Sequence, residues 1–134
     1  MSEGGKVVVL TCAGMDKALG SVARASVFKV VEELRPDKAK LVCLPPLLAG
    51  VASHSKMIRS LPVITVDGCA ERCATKLAVK NRGRIRGRVL VPESAKKHDL
   101  APQSASNIGP NGEKLAEIIA QEIASVVDRV IQAR

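Results

Sequence analysis

Lys6-Val7-Val8-Val9-Leu10-Thr11-Cys12-Ala13-Gly14 decides the fold class of this chain. An unbroken run of β-branched residues and leucine that ends in small residues reads as a strand buried on both faces, followed by a turn. Such strands belong to parallel sheets, so the following segments should alternate helix and strand. They do. Val22, Ala23, Val27, Val30, Val31 and Leu34 recur at helical spacing over residues 20–34, and Pro36 stops the helix. Lys40 to Cys43 is a second strand, cut off by Pro45-Pro46. Residues 47–60 suit a helix despite Gly50, and Pro62 opens a third strand, Val63-Ile64-Thr65-Val66, which stops at Asp67-Gly68-Cys69.

Further along, Glu71 to Lys80 predicts a helix with Cys73 on its first turn, broken at residues 81–83, and Arg86 to Val91 predicts a fourth strand closed by Pro92. A polar connection over residues 93–110 leads to a long amphipathic helix over 111–134, with Leu115, Ile118, Ile119, Ile123, Val126, Val127, Val130 and Ile131 as its apolar face. The expected fold is a three-layer α/β/α, Rossmann-like, with a mostly parallel sheet of about four strands. At 134 residues, one domain over 1–134 is expected, with residues 6–92 as its α/β core.

Phe28 is the only aromatic residue, so the core must be built from Val, Leu, Ile, Ala and Met, and aromatic site chemistry is excluded. The apolar run Val7–Leu10 is too short for a signal peptide or a membrane span, which points to a cytoplasmic protein with no membrane partner. A formal charge of +8 favours anionic partners without bearing on the fold. In a reducing compartment, four cysteines point to metal binding or thiol chemistry before disulfides.

Three of the four, Cys12, Cys43 and Cys69, stand at the expected ends of successive strands. Parallel strands lie about 4.8 Å apart and point the same way, so these residues share the C-terminal edge, where doubly wound sheets bind ligands. If strand one lies between strands two and three, Cys12 is flanked by the other two. Cys69 and Cys73, four apart at a helix start, are expected on one helical face with Cβ atoms roughly 6 Å apart. Zinc holds thiolate sulfurs at about 2.3 Å in a tetrahedron, a radius that such a set reaches. The positive end of a helix eases deprotonation of nearby thiols. Cysteine is also a small buried hydrophobe, but four on one edge favour a shared ion.

Several stretches together resemble the DGC-domain family, described as zinc-binding and named for the triplet seen here as Asp67-Gly68-Cys69. The matching features are Cys12-Ala13-Gly14 with Lys17 and Gly20-Ser21-Val22-Ala23-Arg24, then Cys43-Leu44 with Pro45 and Gly50, then the triplet with Cys73. The resemblance covers roughly residues 6 to 92 and implies Cys12, Cys43, Cys69 and Cys73 as metal ligands, with no settled reaction. Ala13 stands where serine is the more usual residue, a change between small side chains.

Other residues offer weaker signals. Asp67 reads first as a helix cap and second as a residue that orients a ligand. Lys17, in the loop between Gly14 and Gly20, and Arg24, expected a turn beyond it, could contact an anion, although the loop lacks P-loop spacing. His54 and His98 are chemically able ligands in unpromising positions. Arg84, Arg86 and Arg88 are expected on one side of a strand, reading as a solvated edge before a nucleic-acid patch, because no Tyr or Trp is present for base stacking.

The leading functional expectation is therefore a zinc-binding protein with a four-cysteine site, more a binding protein than an enzyme. An iron–sulfur cluster is the less favoured occupant. The alternatives are a sulfur or persulfide carrier, or thiol-redox enzyme, using Cys69 or Cys73, and then a basic nucleic-acid-binding module. A protein partner stays open.

Overall fold

A computed structural model describes residues 6–11, 18–42, 47–68 and 71–133. Its sheet has four strands, β1 (Val7–Thr11), β2 (Ala39–Val42), β3 (Pro62–Asp67) and β4 (Arg84–Leu90), in the order β2-β1-β3-β4. All three pairings are parallel. Every residue of β1 is buried, as expected of a strand with a neighbour on each side and helices on both faces.

Alternation along the strands sorts the core into two clusters. Val7, Val9, Ile64, Val66 and Val89 join one face, covered by α1 (Ala18–Lys29) and α5 (Gly109–Gln132). Val8, Leu10, Val42 and Val63 join the other, covered by α2 (Ala52–Ser60) and α3 (Cys73–Lys80). The result is the expected α/β/α arrangement, with the apolar stripe of each helix turned to the sheet.

Several boundaries differ from expectation. The first helix passes at Val30–Leu34 into a π-helical turn, where Arg35 N–H donates to the Val30 carbonyl at 2.8 Å. The segment expected as one helix over 47–60 is helical at 47–48 and again over Ala52–Ser60, interrupted between them where Gly50 adopts a left-handed φ of 77°, a conformation that breaks helices and suits glycine. Pro92 does not simply close β4. It sits in the first turn of a further helix, α4 (Val91–His98), where proline loses no helical hydrogen bond. That helix replaces the first part of the expected connection over 93–110.

The remaining connection is braced rather than loose. Gln103 N–H donates to the Ile108 carbonyl at 2.8 Å, Ser104 N–H to the Asn107 carbonyl at 2.9 Å, and Ser21 Oγ on α1 to the Ala105 carbonyl at 2.5 Å. In α5, Leu115, Ile119, Ile123, Val127 and Val130 form the buried stripe, while Ile118 and Ile131 are only half-buried. Ala116 and Ala120 take their place in the core, and small residues there let α1 approach closely.

The fourth strand holds the largest departure. Ile85 pairs with Val63 and Gly87 with Ile64, so one extra residue, Arg86, forms a bulge. Gly87 faces α5 so closely that a Cβ there would stand 2.5 Å from Val126 Cγ1. The bulge shifts the alternation, and the three arginines expected on one side separate. Arg84 and Arg86 line a groove with Arg129 of α5, whereas Arg88 lines a cleft on the α3 side. Among the described residues, no helix is long and apolar enough to cross a membrane.

Candidate functional site

At the C-terminal edge, the last residues of neighbouring strands lie in register. Leu10 pairs with Val42, Thr11 with Val66, and Asp67 with Leu90. Thr11 Oγ1 donates to the Val66 carbonyl at 3.1 Å, tying β1 to β3 at that edge. Cys12 and Cys43 are the next residues in the chain after β1 and β2, and Cys69 follows β3 by two. Cys12, Cys43, Cys69 and Lys17 themselves lie outside the described residues. Among the described residues, no cluster of His, Cys, Asp or Glu forms a ligand set.

Cys73 is the first residue of α3, and its thiol is free and exposed. Arg72 before it is left-handed, with φ 56° and ψ 48°, so the helix does not reach back toward residue 69. The expected helical i, i+4 face for Cys69 and Cys73 is therefore corrected.

Asp67 anchors that turn. It is only 3% exposed, and both carboxylate oxygens accept hydrogen bonds from the start of α3. Ala74 N–H donates to Oδ1 at 2.9 Å, and the Thr75 hydroxyl donates to Oδ2 at 2.6 Å. Thr75 Oγ1 also stands 3.0 Å from the Thr65 hydroxyl on β3. One strand-terminal carboxylate thus caps the helix that carries Cys73 and holds it against β3. Asp67 is committed to positioning the helix.

Gly68 fixes the adjacent segment. A Cβ on it would meet Gly20 Cα at 2.7 Å and the Leu19 carbonyl at 3.1 Å, so the turn after β3 lies backbone to backbone against the first turn of α1. Only glycine permits that approach.

Other expected residues are less closely joined to the edge. Arg24 is half-buried, six residues beyond the start of α1. At 1.5 Å of rise per residue, that is about 9 Å below the helix start, nearly two turns rather than the one expected. His98 ends α4 and is exposed. His54 is the third residue of α2, and its buried Nδ1 has no hydrogen-bond partner among the described residues.

Sequence reading missed Thr65, Thr75 and Arg72, and it put Arg88 on the other face of the sheet with Arg84 and Arg86. Together with Asp67 and Glu93, three of these, Arg72, Thr75 and Arg88, line a cleft of about 140 Å³ beside Cys73's helix. Thr65 carried a signal, being the one polar residue in the run Val63 to Val66 and two before Asp67, hence on the same face. Arg88 was misplaced because the bulge at Arg86 was not foreseen, although a glycine inside a strand is a recognised mark of one.

No curated protein and no solved structure matches the chain. The family model described as the DGC domain matches residues 8–129, from within β1 almost to the end of α5. By that match, which reaches well past the stretch its motifs occupy, this chain belongs to the DGC-domain family.

Proposed function

We propose that Cys12, Cys43, Cys69 and Cys73 hold one zinc ion as thiolates at the C-terminal edge of the sheet. The observation that carries this reading is the strand order β2-β1-β3, which makes the strands that lead into Cys12, Cys43 and Cys69 immediate neighbours. Asp67 adds the fourth position by clamping the first turn of α3, and so Cys73, to the end of β3. The donor set fits the ion, because four soft thiolates suit tetrahedral zinc and close its coordination sphere. Zinc bound in this way supplies a redox-inert centre with no open position for water. The role is binding rather than catalysis, in a reducing cytoplasm where thiols stay free.

The chain's own residues would do two things. Asp67 and Thr75 hold α3 in place, and the Gly68–Gly20 approach fixes the backbone just before Cys69. One observation favours a second reading. The exposure of Cys73 suits a thiol that carries sulfur or exchanges with other thiols.

The test is elemental analysis of protein purified without added metal, with thiol titration before and after a chelator. About one zinc per chain and four thiols that react only after chelation support the four-cysteine centre. No metal, with Cys73 much more reactive than the other thiols, overturns it in favour of the second reading. Iron with a visible absorption band would replace zinc by a cluster on the same ligands.

A further inference from the structure

At the opposite end of the sheet, where β3 and β4 begin and α5 ends, Arg84, Arg86 and Arg129 line a groove of about 640 Å³ with Pro62, Val130 and Ala133. We infer that this groove is a binding site for a small phosphate-bearing molecule, distinct from the cysteine edge.

The arginines come together by construction. Strand alternation puts Arg86 on the same side as Arg84, the bulge turns Arg88 to the other face, and the close approach of Gly87 to Val126 draws α5 over β4, so that Arg129 one turn later reaches the groove. Arg84 Nη2 donates to the Ser60 carbonyl at 3.0 Å, which orients its guanidinium and leaves other donors unspent. Arg86 and Arg129 have no side-chain partner among the described residues. Among the described residues, no carboxylate side chain lines the groove. The nearest acid in sequence, Asp128, is held by Arg35 through bonds of 2.8 and 2.6 Å and cannot neutralise Arg129.

Arginines on an edge strand often serve only to block sheet extension. That role does not account for Arg129, which comes from a helix and meets the strand arginines across a concave surface. Guanidinium groups from two elements match the oxygens of a phosphate, which accepts several charge-assisted bonds at once. The volume lies within the range of small-molecule sites, and Pro62, Val130 and Ala133 offer apolar contact to the rest of such a ligand. A nucleic-acid strand fits less well, because binding without stacking residues leaves only the phosphates. The sole aromatic, Phe28, lies in a different groove, with Glu32, Glu33, Glu113 and Glu117.

The test uses the full chain, ¹⁵N-labelled and titrated at constant ionic strength with inorganic phosphate, pyrophosphate, a mononucleotide and a short single-stranded oligonucleotide. Saturable shifts confined to residues 84–88 and 129–133 and to the Arg84, Arg86 and Arg129 side chains are expected with the small phosphates. Arg86→Gln and Arg129→Gln should each weaken binding at least tenfold, and Arg88→Gln, in the separate cleft, should not. Linear shifts spread over surface lysines, or equal loss in Arg88→Gln, would overturn the site. Oligonucleotide binding that is steeply salt-dependent and far tighter than any small phosphate would replace it by a nucleic-acid surface. If a variant fails to fold, the shift map of the parent protein decides.

Discussion

Replacing Asp67 by alanine should loosen the helix that carries Cys73. The carboxylate is 3% exposed and accepts two bonds from α3, so its removal leaves a buried backbone N–H and a half-buried hydroxyl without their acceptor. Loss of a helix cap costs about 1 kcal/mol, and loss of a charged acceptor about 1.5–3 kcal/mol, which together suggest about 2.5–4 kcal/mol. For a chain of this length, about 4 °C of Tm per kcal/mol predicts a fall of about 10–16 °C. The assay is thermal unfolding followed by circular dichroism, with reductant and chelator present so that bound metal does not mask the change. Asp67→Asn should fall by about half as much, because its side-chain carbonyl can still accept from Ala74 N–H and its amide can donate to Thr75 Oγ1. A Tm for Asp67→Ala within 2 °C of the parent would refute the clamp.

The bulge in β4 makes Gly87→Ala destabilising by about 1–3 kcal/mol, since the new methyl meets Val126 at 2.5 Å, and Val126→Ala should partly rescue it in a double-mutant cycle. A neutral or stabilising Gly87→Ala in chemical denaturation would contradict the placement of α5. Gly68→Ala should force the turn after β3 away from Gly20, and zinc retention against a competing chelator should fall at least tenfold. Unchanged retention would remove Gly68 from the support of the centre. Arg35 holds the Asp128 carboxyl below its ordinary value of 3.8 by hydrogen bonding first and by charge second. The stabilisation from a lowered carboxyl is complete above that ordinary value and disappears as pH falls through the folded one. The parent should therefore exceed Asp128→Asn by a constant amount from pH 7 to 5, at most about 1 kcal/mol for so exposed a pair, and lose that advantage below pH 3.8. An advantage that does not shrink as pH falls below 3.8 would mean the pair is not its source.

The order of strands and helices was legible because burial on both faces leaves a direct mark. Val7 to Leu10 is a continuous apolar run and Val63 to Val66 is interrupted only by Thr65, and Val7, Val8, Val9, Leu10, Val63, Ile64 and Val66 are 0% exposed in the fold. The strand ends were legible to within a residue or two, which sufficed to bring the positions preceding three cysteines to one edge. What escaped notice depends on backbone details that side-chain periodicity does not record. The bulge at Arg86 arises from pairing with β3, and α4 forms where proline was read as a stop, although proline is equally suited to a first helical turn. The left-handed Arg72 is a third such case. It starts α3 at Cys73 and removes the helical relation that spacing alone suggested for Cys69 and Cys73. Asp67 was legible as a cap, but its partners Thr65 and Thr75 come from different elements and meet only in three dimensions.

The two supports of the cysteine edge lie on opposite sides of the sheet, and that placement has an energetic consequence. Gly68 touches α1, which covers one face, while Asp67 immediately before it holds α3 on the other. A ligand set drawn from the ends of β1, β2 and β3 and the start of α3 therefore spans both helical layers. The proposed ion would link the two layers, and it would bind the folded chain in preference to the unfolded one. At a free zinc concentration of 100 times Kd, that preference adds about 2.7 kcal/mol to folding stability, comparable to the whole of the Asp67 clamp. The clamp and the proposed ion should then reinforce each other. Asp67→Ala should lower zinc affinity as well as stability, and zinc should recover part of the Tm that the substitution costs. If zinc raised the Tm of the variant and of the parent equally, clamp and metal would act independently, and the centre would not draw on the start of α3.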